Sequence, residues 1–111
     1  MDSLLNRHPG EVLFKEFLQP MNISAYRLSK DIGIPQTRTS EIIKGVRRIT
    51  ADTALRLGYY FGNSPKFWLG IQNDYDIDAE MRSRIDEYKR IGKAEQRVAH
   101  QAGARHAKQT L

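Results

Sequence analysis

The chain has 111 residues, 40% of them apolar, with 18 lysines and arginines against 13 aspartates and glutamates, a net charge of +5. That bounds it to one small domain with a modest core and room for a short tail, and a pI near 9.7 favours an acidic partner such as nucleic acid. The absence of cysteine excludes disulfides, zinc–thiolate centres and a thiol nucleophile, and no stretch approaches the roughly 20 apolar residues of a membrane helix or the pattern of a signal peptide, so a cytoplasmic location is expected.

Period-2 alternation of β-branched residues is nearly absent, so the spacing predicts an all-α fold. Pro9 and Gly10 open a first helix with Val12, Leu13, Phe14, Phe17 and Leu18 as its apolar positions, and Pro20 is expected to end it. Ser24 caps a second helix that buries Leu28 and Ile32, and Gly33 supplies the left-handed turn. Pro35 suits the first position of a third helix that turns Ile42 and Ile43 inward and stops at Gly45. Thr50 caps a fourth helix with Asp52 in its first turn and Ala54, Leu57, Gly58 and Phe61 on one face. Gly62 and Asn63 stop it. Ser64 and Pro65 start a short fifth helix crowded with Phe67, Trp68, Leu69 and Ile71. A sixth is expected from Asp76 or Asp78, striped by Met81, Ile85, Tyr88, Ile91 and Val98 and weakened at Gly92. The expected organisation is a domain over residues 1–77, then a C-terminal helix and basic, frayed tail over 78–111.

Residues 24–50, SAYRLSKDIGIPQTRTSEIIKGVRRIT, carry the functional signal. They read as helix, tight turn and helix, a unit whose second helix can enter the DNA major groove. With Ala25 as the first position, Leu28, Ile32, Ile34 and Ile42 fall where the two helices bury apolar groups against each other. Ser29 falls where they pass closely, and Thr39 where an aliphatic side chain would pack better. Six basic residues (Arg27, Lys30, Arg38, Lys44, Arg47, Arg48) against Asp31 and Glu41 give this stretch +4 of the total. The outward residues of the third helix are Gln36, Thr37, Arg38, Ser40 and Glu41. Gln can pair with adenine, Arg with guanine and the Thr methyl with thymine, while Glu41 must either accept from cytosine or point away from phosphate. Lys44, Arg47 and Arg48 past the helix end suit phosphates, as do the free amides beside Ser24. A solvated polar face is the bland reading of the same residues; the clustering of amide, hydroxyl and guanidinium groups tilts the balance toward DNA.

These pieces resemble the HigA-type antitoxins within the Cro/CI-like (lambda-repressor-like) helix-turn-helix group: HPGEVL (8–13), LSKDIGIPQTRTSEIIKG (28–45), RRITADTALRLGYYFGNSPKFWLGIQ (47–72) and YD (75–76). Ser29 stands where the family usually has alanine and Thr39 where it usually has an aliphatic. The resemblance implies a five-helix core with an extra C-terminal helix, a homodimer, a palindromic operator at the module's own promoter, and a HigB-type mRNA-cleaving toxin neutralised by complex formation. It carries base reading to Gln36, Thr37, Arg38, Ser40 and Glu41, and phosphate contact to Ser24, Arg27, Lys44 and Arg47.

One helix-turn-helix reads few base pairs, so a two-fold dimer on operator DNA is expected. Phe67, Trp68 and Ile71, with Met81, Ile85 and Tyr88, are its candidate interface, core filling being the alternative for Trp68. An enzyme is not expected: His8, His100 and His106 are the only histidines, the known catalytic signatures are missing, and no metal, cofactor or small-molecule substrate is called for. Asp74, Asp76 and Asp78 lack the glycine and glutamate of a calcium loop and read as helix caps. A stand-alone repressor without a toxin would use the same DNA face. An RNA reader would expose stacking aromatics, which here fall at core or interface positions.

Overall fold

The computed structural model describes residues 7–94, and within them every regular element is helical. Two compact units divide between Glu80 and Met81.

The first unit opens with α1, a continuous run of α-helical Pro9–Val12, π-helical Leu13–Leu18 and α-helical Gln19–Met21. Its N-cap is His8, whose Nδ1 accepts from the Gly10 amide at 2.9 Å. Pro20 does not end this helix. The Gln19 amide reaches back five residues to the Phe14 carbonyl, and Pro20 sits in the first turn of the closing α-helical segment, where a missing N–H is tolerated. The run ends at Asn22, held left-handed at φ 56°.

Helix α2 (Ala25–Ile32) is capped by the Ser24 hydroxyl, which accepts from the Arg27 amide at 3.0 Å. Gly33, at φ 73°, reverses the chain, and the Gly33 and Ile34 amides both return to the Ser29 carbonyl. Helix α3 (Gln36–Ile43) starts one residue later than its proline suggests: Pro35, at ψ 145°, is the N-cap rather than the first helical residue. Helix α4 (Ala51–Phe61) follows the Thr50 cap and stops at Gly62.

Helix α2 crosses α3 at Ser29 and Thr39, both buried. Ser29 Oγ lies 2.6 Å from Thr39 Oγ1 and 2.9 Å from the Ala25 carbonyl oxygen. Each hydroxyl has one proton, so both contacts form together when Thr39 donates to Ser29 and Ser29 donates to Ala25. Ser29 and Thr39 are therefore partners, and where an aliphatic side chain was expected to pack better, Thr39 makes a buried hydrogen bond.

Helix α5 (Pro65–Lys89) runs through the break expected at Asp76 or Asp78 and is kinked at Arg84 instead. Residues 73–78 contain neither proline nor glycine, and the Asp76 carboxylate is engaged by side chains instead of capping amides. The helical angles fail only at Arg84 (φ −136°, ψ 25°).

The core of the first unit draws on every helix: Val12, Leu13 and Leu18 from α1, Leu28 and Ile32 from α2, Ile42 from α3, Ala54 and Leu57 from α4, and Trp68 and Ile71 from α5, with Ile34 and Ile49 from the connections. Phe17 joins Trp68 and Phe61, each with ring centroids 4.9 Å away, and the Trp68 indole N–H donates to Asn63 Oδ1 at 3.0 Å. Trp68 is fully buried and Ile71 is 5% exposed, so both leave the candidate dimer interface: their apolar area is already consumed by this core. Phe67 is half-buried against Phe17 and Trp68. Helix α1 lies directly against the end of α3, because a Cβ on Gly10 would stand 1.6 Å from the Ile42 carbonyl oxygen.

In the second unit, Met81 is exposed and Ile85 and Tyr88 are half-buried. The Arg84 guanidinium pairs with Glu87 at 3.0 Å and lies 5.6 Å over the Tyr88 ring. The helix has already ended at Lys89 when the chain reaches Ile91, which is 71% exposed, and Gly92. The expected stripe therefore closes at Tyr88; its last member, Val98, and the basic tail with His100 and His106 lie outside the described residues.

Candidate nucleic-acid interface

Helix α3 buries Thr39 and Ile42 and leaves Gln36 and Thr37 exposed, with Ser40 and Glu41 one turn on and half-buried. The first turn thus offers an amide and a hydroxyl on one convex face, as base reading requires. Arg38, next to them, is half-buried and leans toward α4. Its Nη1 lies 3.0 Å from Asp52 Oδ2 and 3.4 Å from Thr53 Oγ1, both in the first turn of α4.

Beyond the helix, Arg47 Nε donates to Glu41 Oε1 at 2.8 Å. In the free chain the charge of Glu41 is thus balanced by Arg47, six residues on, instead of facing outward alone. Arg48 Nη2 meets Asp76 Oδ2 at 2.6 Å, and the other oxygen of Asp76 accepts from Gln72 Nε2 at 3.0 Å. Gln72 is 1% exposed and its Oε1 accepts from the Ile49 amide at 2.7 Å. One buried amide thereby fixes the loop after α3 to α5 and orients the carboxylate that holds Arg48. Lys44 is exposed and makes no ion pair among the described residues.

At the start of α2, Ser24 uses its oxygen to cap Arg27, which leaves the amides of the first turn pointing outward beside it. Arg27 is largely exposed and leans 3.3 Å onto Asp31, which also accepts from the Tyr60 hydroxyl at 2.6 Å. The Tyr60 hydrogen bond, aided by Arg27, holds the Asp31 carboxyl below the usual carboxylate range, and the same bond raises the phenol of Tyr60. Asp52 is likewise held low, first by Arg56, whose Nε lies 3.1 Å from both carboxylate oxygens, and then by Arg38. These pairs are exposed and worth little to stability. They orient the arginines while leaving the surplus of positive charge on this surface unchanged.

Asp52, Gln72, Asp76 and Tyr60 are neighbours of the candidate site that sequence reasoning missed. The contacts that tie them to Arg38, Arg48, Ile49 and Asp31 span 14 to 29 residues of chain, and no local pattern joins them. Among the described residues no group of three or more His, Asp or Glu side chains gathers to hold a metal ion, and no helix is long and apolar enough to cross a membrane.

No family model matches the chain. It is 49% identical over 70 residues to virulence-associated protein I of Dichelobacter nodosus, a match that spans 63% of this chain and 65%, just under two thirds, of that protein. It is 38% identical over 78 residues to antitoxin HigA-1 of Vibrio cholerae serotype O1, covering 70% of this chain and 72% of that one. The chain belongs to the HigA antitoxin family. A solved structure of Pseudomonas aeruginosa antitoxin HigA with the higBA promoter superposes with a TM-score of 0.77 at 30% identity, covering 81% of this chain and 98% of that one. The all-helical helix-turn-helix architecture of this HigA-family chain therefore extends through nearly all of a known relative.

Proposed function

We propose that this HigA-family protein binds a palindromic operator in its own promoter as a dimer and represses its own transcription. The observation that carries this reading is the face of α3: Gln36, Thr37 and Ser40 turned outward on a helix backed by the core, with Lys44, Arg47 and Arg48 beyond its end. The Pseudomonas antitoxin HigA, solved with the higBA promoter, supports it. Ser24 with the adjacent amides, Arg27, Lys44, Arg47 and Arg48 contact phosphate. Gln36, Thr37, Ser40 and Arg38 read bases, and Glu41 orients Arg47. Met81, Ile85 and Tyr88 supply the dimer contact. Footprinting of the full chain on the DNA upstream of its gene tests the reading; protection of two half-sites about one helical turn apart is expected, and uniform or absent protection contradicts it. The mass of Ile85→Asp in solution tests the dimer contact, and a surviving dimer removes Ile85 from it.

The same protein neutralises a HigB-type toxin by forming a complex with it. The antitoxin name of the Vibrio relative supports this half of the proposal. Co-expression with the reading frame adjacent to the gene tests it: a co-purifying small partner is expected, and a soluble partner that never co-purifies leaves a stand-alone repressor.

A further inference from the structure

We infer that Asp52 is a positioning residue that makes Arg38 a selective reader of guanine instead of a general contact to DNA. This rests on the DNA-binding reading above and adds a residue outside the helix-turn-helix. A chain of bonds runs from the turn of that unit to its second helix. Arg56 Nη1 donates to the Ile32 carbonyl at 2.7 Å and approaches that of Gly33 at 3.4 Å. Arg56 Nε holds both oxygens of Asp52 at 3.1 Å. Asp52 Oδ2 then holds Arg38 Nη1 at 3.0 Å, beside the buried hydroxyl of Thr53 at 3.4 Å.

Within the described residues only Nη1 of Arg38 is engaged, so Nε and Nη2 remain as the adjacent donor pair that can meet guanine O6 and N7. An unbuttressed arginine has a long flexible stem and finds a phosphate on any sequence. With Asp52 beside it, swinging Arg38 to the backbone would break this ion pair and leave the carboxylate to Arg56 alone. Asp52 thus raises the contrast between the right base and all other contacts. Asp52 stands in the first turn of α4, where the helix dipole also favours its charge, so the buttress is fixed before DNA arrives.

The test uses the full chain with Arg38→Ala, Asp52→Asn, Asp52→Glu and the Arg38→Ala/Asp52→Asn pair. Affinity is measured on the operator, on every single-base variant of it, and on random DNA; thermal melts confirm folding. Arg38→Ala is expected to lose about tenfold of discrimination at one base pair in each half-site. Asp52→Asn is expected to lose most of that discrimination at the same base pair and to bind random DNA more tightly. Asp52→Glu restores part of the discrimination, and Asp52→Asn changes none of it once Arg38 is alanine. Loss with Arg38→Ala but full retention with Asp52→Asn overturns the buttress and leaves Arg38 as a reader. Retention with both overturns the role of each while operator binding stands. A wild-type protein that does not distinguish operator from random DNA overturns the underlying reading as well.

Discussion

The Ser29–Thr39 pair makes a specific prediction about stability, because removing either hydroxyl alone differs from removing both. In Ser29→Ala the Thr39 hydroxyl, at 0% exposure, loses the partner 2.6 Å away. A buried hydroxyl left without a partner costs about 1–3 kcal/mol, from which the better helix propensity of alanine in α2 returns about 0.5 kcal/mol. In Thr39→Val the Ser29 hydroxyl keeps the Ala25 carbonyl at 2.9 Å, so the loss is one net hydrogen bond of about 0.5–1.5 kcal/mol, offset in part by the new buried methyl. The double variant leaves no orphan and closely resembles the family's usual alanine and aliphatic pair; it is expected within about 1 kcal/mol of the parent. The singles should therefore overestimate the double by about 1–2 kcal/mol, a coupling well outside the scatter of independent sites. Urea or thermal unfolding followed by circular dichroism reads this directly, since about 1 kcal/mol moves the midpoint by roughly 4–8 °C in a domain of this size. Single-variant losses that simply add in the double would refute the pairing and return Thr39 to the role of a poorly placed core residue.

Three further outcomes follow from the same structure. Lys44→Ala should weaken binding on all DNA sequences alike and lower the slope of log affinity against log salt by roughly 1; an unchanged slope would show that Lys44 touches no phosphate. Gly10→Ala should cost at least the upper part of the roughly 1–3 kcal/mol of an overpacked core, because the new methyl meets the backbone of α3 instead of a movable side chain; a melt within error of the parent would show that α1 does not lie against α3 as described. Burial holds the His8 imidazole below its ordinary value of 6.5, against the pull of Asp76, and its Nδ1 must be unprotonated to cap Gly10. The unfolded chain then binds more protons than the folded one just below pH 6.5, so the contribution of His8 is full above that value and falls as the pH drops toward the folded pKa. His8→Asn, which caps without titrating, should flatten this part of the stability profile; an unaltered profile would assign it to other groups.

What was legible in the sequence is what one or two neighbouring residues decide. Ser24, Gly33, Thr50 and Gly62 act as cap or turn where they were expected, since a hydroxyl three residues before an amide or a left-handed glycine needs no distant partner. Pro20 misled because the π-helical turn before it removes the need for its missing donor. The break expected at Asp76 or Asp78 misled because an aspartate caps a helix only when its carboxylate is free, and Asp76 is held by Arg48 and Gln72. For Trp68 the sequence left interface and core filling both open, and Ile71 read as interface; both are core, with Phe17 of α1 packed on Trp68 and Leu13 and Leu18 in the same cluster, a packing that period alone does not show. For the candidate site, the outward face of α3 followed from helical spacing. The carboxylates that steer its arginines did not, since ion pairs between Arg38 and Asp52 or Arg48 and Asp76 leave no trace in local pattern.

Sequence-selective binding of DNA by the α3 face is most directly measured by competition. The full chain is titrated with a labelled duplex from upstream of its own gene at near-physiological salt, then challenged with unlabelled scrambled duplex of the same length, for the parent and for Gln36→Ala/Thr37→Ala. The parent should prefer its own sequence by at least about 10³-fold, and the variant should lose most of that preference while keeping the affinity for scrambled DNA. Equal competition by both duplexes, or a preference untouched by the two substitutions, would contradict base reading by this helix.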